Sequence, residues 1–122
     1  MKEDLKVLQA FVNKMKDTSS LNEKKVIIDS IKNNKFITKA LNYALDPYKK
    51  YYVTSKTCKK NSDICDMNSI YDDVFGLLDD LNDRVYTGHD AIAMVNAFVT
   101  EHKEYEDLIF SIIDRNLEIR AS

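Results

Sequence analysis

Residues 69–99 read SIYDDVFGLLDDLNDRVYTGHDAIAMVNAFV. Ile70, Val74, Leu77, Leu78, Leu81 and Val85 recur at the three-and-four spacing that lines one face of a helix, and Asp72, Asp73, Asp79, Asp80 and Asp83 occupy much of the other. Ser69 with Asp72 forms a cap in front of this helix. Thr87-Gly88-His89-Asp90 then interrupts the pattern and supplies a second helix start. Ile92, Val95, Phe98 and Val99 define the buried face of the helix that follows, with His102-Lys103 at its end. Two amphipathic helices joined by a short polar corner are the signature of a helical domain.

Working outward, the same periodicity recurs. Leu5, Leu8, Phe11, Val12 and Met15 form one stripe of a first helix that ends near Lys16. Ser20-Leu21-Asn22-Glu23 reads as a capping box for a second, which Ile27, Ile28 and Ile31 continue. Phe36, Ile37, Ala40, Leu41, Ala44 and Leu45 outline a third, closed by Asp46-Pro47 because the residue before proline avoids helical geometry. At the far end Leu108, Ile109, Ile112, Ile113 and Leu117 outline a last helix with no stop signal after it. Residues 53–68 lose periodicity and are rich in Lys, Ser, Thr, Asn and Asp, which predicts a long exposed loop. The expectation is an all-α, single compact domain over residues 1–122, with about six helices and a long basic loop between the third and fourth.

Composition agrees with this reading. A chain of 122 residues is one domain's length, and 44% apolar with 31% charged residues is an ordinary globular balance. Only 2 Gly and 1 Pro are present, too few for the turns of a sandwich, barrel or doubly wound sheet and too few for a glycine-rich phosphate loop. The two cysteines, Cys58 and Cys65, make no disulfide framework, and no signal peptide is evident, so the expected compartment is a reducing cytoplasm, the host's if the source is viral. No apolar stretch is long enough for a membrane span.

The net charge of -2 gives no global attraction to a polyanion. Charge is nonetheless segregated: Lys39, Lys49, Lys50, Lys56, Lys59 and Lys60 face the single acid Asp46 within residues 39–60, whereas residues 61–83 hold seven aspartates and no base. Tyr48, Tyr51 and Tyr52 beside Lys49 and Lys50 add groups that hydrogen-bond phosphate or pack on sugars. Catalysis finds little support, because His89 and His102 lie at opposite ends of one expected helix, the cysteines fall in a loop, and the paired aspartates diverge around a helix surface. No catalytic residue and no metal ligand is assigned. The most suggestive chemistry is Arg84-Val85-Tyr86-Thr87-Gly88-His89, where a helix start offers free amides, Gly88 allows close approach, Thr87 adds a hydroxyl and Arg84 can pair bidentately with a phosphate. An ordinary capped turn is the plain alternative. Arg115 and Arg120, flanking Asn116-Leu117-Glu118, form a second, weaker candidate.

As a set these residues resemble a known family. Leu81-x-x-Arg84-x-x-Thr87-Gly88-x-x-Ala91-Ile92, followed by Asp114-Arg115-Asn116-Leu117-Glu118-x-Arg120-Ala121-Ser122, and preceded by Phe36-x-x-x-Ala40-Leu41-x-Tyr43-Ala44-Leu45-Asp46-Pro47-Tyr48-Lys49-Lys50-Tyr51-Tyr52, is similar to the N-terminal DNA-binding domain of bacteriophage-type ATP-dependent DNA ligases. The resemblance implies a helical module that grips nicked duplex DNA from the minor groove through phosphates and positions the ligase in replication, repair and recombination. It implies one phosphate contact from Arg84, Thr87, Gly88 and His89 and another from Arg115, Arg120 and Ser122; the charge segregation noted above adds Lys49, Lys50 and Lys56 as candidate DNA contacts. The nucleotidyltransferase signature K-x-D-G-x-R is absent, so the segment itself should carry no ligase activity and no cofactor. Downstream nucleotidyltransferase and oligonucleotide-binding-fold domains of the same chain would supply the active site, ATP and a divalent metal such as Mg, and the protein would be a monomer.

The competing expectation is a helical protein–protein interaction module with no nucleic-acid role. The two diverge on placement: Lys49, Lys50, Arg84, Lys103, Arg115 and Arg120 should share one concave face if DNA is the ligand, and scatter otherwise.

Overall fold

A computed structural model describes residues 1–119. Its elements are all helical among the described residues: α1 Lys2–Lys16, α2 Leu21–Ile31, α3 Lys35–Leu45, α4 Ser55–Lys60, α5 Val74–Asn82, α6 Gly88–Glu101, a 3-10 turn at Lys103–Tyr105, and α7 Glu106–Ile113. No described helix is long and apolar enough to cross a membrane.

The core is built around α6. Ala91, Ile92, Met94, Val95, Ala97, Phe98 and Val99 are all buried, so this helix is enclosed on more than one side, as expected where apolar residues exceed a single stripe. Helices α4, α5 and α7 pack on it, and α7 also packs on α3 and α4. Leu5, Leu8, Phe11, Val12 and Met15 of α1 close the opposite side and meet α2 and α3. By contrast α2 has no fully buried residue: Leu21 and Val26 are exposed and Ile27 and Ile31 only half-buried. It is a flap on the bundle rather than a member of it.

Several starts follow their local chemistry. The Ser20 hydroxyl accepts the Glu23 amide at 3.3 Å, which is half of the expected capping box; the other half is relayed, because the Glu23 carboxylate takes the Thr18 hydroxyl and it is Thr18 that accepts the Ser20 amide. Asn34 caps α3 by accepting the Ile37 amide at 3.0 Å.

Four expectations need correction. The segment 53–68 is not simply a loop: it carries α4, capped where Thr54 accepts the Thr57 amide at 3.2 Å. This helix is less than two turns long and buries only Cys58, so it leaves no periodicity to read. With it the described residues hold seven α-helices rather than six. Helix α5 starts at Val74, not at Ser69, because the Asp73 carboxylate accepts the Gly76 amide at 2.9 Å; Ile70 packs on the core ahead of it, and Val85 is exposed beyond its end. Thr87 stands at the N-cap of α6 with extended backbone, yet its hydroxyl makes no capping bond. Finally, α7 does stop, at Ile113, and Leu117 is buried in the chain that follows it.

Candidate nucleic-acid interface

The segment between α3 and α4 runs across one end of the bundle and is fastened along its length. Pro47 fixes the second position of the turn 46–49, which the Lys49 amide closes onto the Asp46 carbonyl at 3.1 Å. The Asp46 carboxylate accepts the Tyr48 amide at 2.9 Å. Beneath the turn, Arg115 Nη2 donates to the same Asp46 carbonyl. The Lys50 amide donates to Asn82 Oδ1 of α5 at 3.0 Å, and the buried Tyr51 hydroxyl donates to the Tyr43 carbonyl. At the far end the Ser55 amide and hydroxyl both donate to the Asp114 carboxylate, the amide at 2.8 Å. What remains outside is Tyr48, Lys50, Tyr52 and Lys56, all exposed.

Across from this segment lies the α5–α6 corner. The Arg84 amide donates to the Leu81 carbonyl at 3.1 Å and the Val85 amide to the Asp80 carbonyl at 2.9 Å, the paired bonds of a Schellman motif with Arg84 at its left-handed position, φ 58°. Glycine is the usual occupant. Tyr52 also has a left-handed backbone, φ 62°, and the two side chains meet: the Arg84 guanidinium sits 4.2 Å from the centre of the Tyr52 ring. Gly88 opens α6 with φ 56°, and a Cβ there would meet nothing within 4 Å, so glycine serves the backbone and leaves the surface open. Because the Thr87 hydroxyl makes no cap, the first amides of α6 have no side-chain acceptor among the described residues, beside exposed His89. Such a helix start favours an anion.

Acids border the site. Tyr43 donates to Asp79 at 2.7 Å, and Lys49 Nζ lies 4.4 Å from the Tyr43 ring centre. Burial, then the Asp79 hydrogen bond, then the charges of Asp79, Asp73 and Asp83 push the Tyr43 hydroxyl up to about 12. Lys49 thus packs on Tyr43 beside these acids, whereas Lys50 and Arg84 are exposed.

The residues singled out in the sequence divide accordingly. Lys50, Arg84, Thr87, Gly88 and His89 line one outer corner, with Lys49 at its acidic edge, while Lys56 lies apart in α4, further along the chain. Arg115 reaches the corner from beneath. It too occupies the left-handed position of a Schellman motif, φ 57°, with its amide on the Ile112 carbonyl and the Asn116 amide on the Ser111 carbonyl. Its Nη2 donates to the Asp46 carbonyl and its Nε is buried without a partner among the described residues, so the side chain supports the turn rather than facing outward. Lys103 lies at the other end of α6, roughly 20 Å along a helix of this length, and pairs with Glu106 at 3.3 Å, so the basic residues expected to share one face do not all do so: Lys49, Lys50 and Arg84 come together, and Lys103 does not join them. Arg120 and Ser122 lie outside the described residues. Two members of the corner were not anticipated in the sequence: Asn82, which ties the loop to α5, and the Tyr52 ring as the partner of Arg84.

Searches against family models, curated proteins and solved structures return no match for this chain.

Proposed function

We propose that the chain is a non-catalytic DNA-binding domain that holds duplex DNA at a strand interruption through its phosphates. In the fuller reading it positions an ATP-dependent ligase for nick sealing during replication, repair and recombination. The observation that supports this best is the union of Lys50, Tyr52, Arg84 and the uncapped start of α6 on one corner, drawn from two distant stretches of chain and held by the Lys50–Asn82 bond. Guanidinium, ammonium and helix-start amides all bind phosphate without reading base sequence. The catalytic step, ATP and the divalent metal belong, in this reading, to nucleotidyltransferase and oligonucleotide-binding-fold domains linked to this one.

Fluorescence-anisotropy titrations against nicked duplex, intact duplex and single-stranded DNA at several salt concentrations test the reading. Duplex affinity should fall steeply with salt. Arg84→Ala should weaken binding alike across DNA sequences and flatten the salt slope by about one contact. Unchanged binding in the variant would remove Arg84 from the interface, and no binding at low salt would remove DNA.

A second reading, a helical protein-interaction module, is favoured by a different observation. Phe11, Met15, Ile28, Leu41, Leu45 and Leu117 line an open groove of about 390 Å³ beside α2, and Leu45 is 57% exposed. Such a groove suits an apolar helix face.

A further inference from the structure

Tyr48 is 90% exposed, the highest value among the exposed large hydrophobic residues, and its side chain makes no hydrogen bond or ring contact with the described residues. Its backbone is the opposite of loose. It occupies the third position of the 46–49 turn, after Pro47, with its amide on the Asp46 carboxylate and the turn's carbonyl held by both the Lys49 amide and Arg115. A large aromatic ring is thus mounted on a stiff support and left bare on both faces. Only its two side-chain torsions remain to be ordered by a ligand, a small entropic cost for a large contact area.

The groups around it specify the ligand. Lys49 and Lys50 follow directly in the chain, and the Lys50–Asn82 bond brings the turn to the corner that carries Arg84 stacked on Tyr52. A bare aromatic face flanked by cations matches the two surfaces of a nucleic-acid strand, a base plane and its phosphates. In an intact duplex every base face is covered by its neighbours, so only an unpaired base can be received.

We infer that Tyr48 is a stacking platform for an unpaired nucleobase, so that this corner takes DNA in which duplex adjoins a short single-stranded gap in preference to uninterrupted duplex. This rests on the duplex-binding part of the reading above and not on nick sealing, because the bases at a nick all remain paired; the unpaired base of a gap adds a preference that phosphate contacts alone lack. The stack is tolerant of base identity, because every base offers a π-face.

The test uses the full chain with three DNAs of equal length: intact duplex, duplex with a three-nucleotide gap carrying 2-aminopurine, and single strand. Wild type should bind the gapped DNA most tightly and quench 2-aminopurine. Tyr48→Ala should lose about tenfold on the gapped DNA and abolish the quench, with a clearly smaller loss on intact duplex, while Tyr48→Phe retains both signals. Wild type that binds all three DNAs equally, with Tyr48→Ala silent and Arg84→Ala weaker on each, would overturn the stacking role and leave the DNA reading standing. Equal losses for Tyr48→Ala and Tyr48→Phe would overturn it in favour of a hydroxyl contact. Failure of wild type to bind any of them at low salt would overturn both.

Discussion

Arginine stands twice where the backbone favours glycine. Arg84 and Arg115 hold φ values of 58° and 57° at the left-handed position that ends α5 and α7, a conformation that costs a residue with a Cβ about 1–2 kcal/mol. Arg115 recovers this through its bond to the Asp46 carbonyl, which fastens the 46–49 turn. Arg84 recovers only the stack on Tyr52, itself left-handed at φ 62°, and an exposed cation–π pair is worth about 0.5–1 kcal/mol. Strain retained at an exposed residue with so little structural return is the pattern of a group kept for a ligand. Arg84→Gly should therefore leave the unfolding free energy within about 1 kcal/mol of wild type, relief of strain offsetting the lost stack, yet weaken DNA as much as Arg84→Ala does. Urea melts and DNA titrations on the same preparations would check this, and a loss of stability above about 2 kcal/mol would assign Arg84 to the fold instead.

Among the elements, those with long apolar stripes were legible and the one without was not. Leu5 through Met15, and Ile92 through Val99, announce α1 and α6 because each turn adds a residue to the same buried face. Helix α4 sends only Cys58 inward, and what holds it comes from far along the chain: the two hydrogens of Asn96 Nδ2 are shared among the carbonyls of Cys58, Asn61 and Ile64, at 3.2, 3.1 and 3.0 Å. No local pattern encodes a bond spanning more than thirty residues. The end of α7 was hidden likewise, because its Schellman stop uses Arg115 in place of the glycine that signals one. The candidate site divides in the same way, since Arg84, Gly88 and Lys50 stand out by type and position, while Asn82 and the Tyr52 stack exist only once α5 and the loop meet. Asn96→Ala would leave the carbonyls of this short segment with one donor fewer in a buried setting, at a cost of about 1–3 kcal/mol. Amide hydrogen exchange should quicken across residues 58–64 well before the rest of the molecule; uniform exchange would mean that α4 is held by other contacts.

Several acidic side chains bind their protons more tightly in the fold than in the free chain. Burial, aided by the Asp114 charge, pushes the Cys58 thiol from 9.0 up to about 11, and Tyr43 rises to about 12. Burial likewise raises Tyr51, against the opposing charge of Arg115, and Tyr71, whose hydroxyl donates to Asp80. In each case the folded state holds the proton more tightly than the unfolded chain does. The associated stability is complete well below pH 9, the ordinary value of the thiol in the unfolded chain, and is lost progressively as pH rises through 9 towards 11 and 12. Denaturant unfolding at pH 7, 9 and 10.5 should give a level value followed by a decline, with the first part of the decline missing in Cys58→Ala. A level profile to pH 11 would mean that these groups ionise in the folded state at their ordinary values.

The segment from Asp46 to Ser55 has one more property. Ordinary surface connections lengthen and shorten without harm because their backbone is bonded to nothing but water. Here Asp46, Lys50, Tyr51 and Ser55 are each tied to a different part of the domain, at Arg115, Asn82, Tyr43 and Asp114. One residue inserted between any two of these ties would put the next out of register. On the outside of the molecule, the spacing between Asp46 and Ser55 is as intolerant of insertion or deletion as the turns of a buried helix.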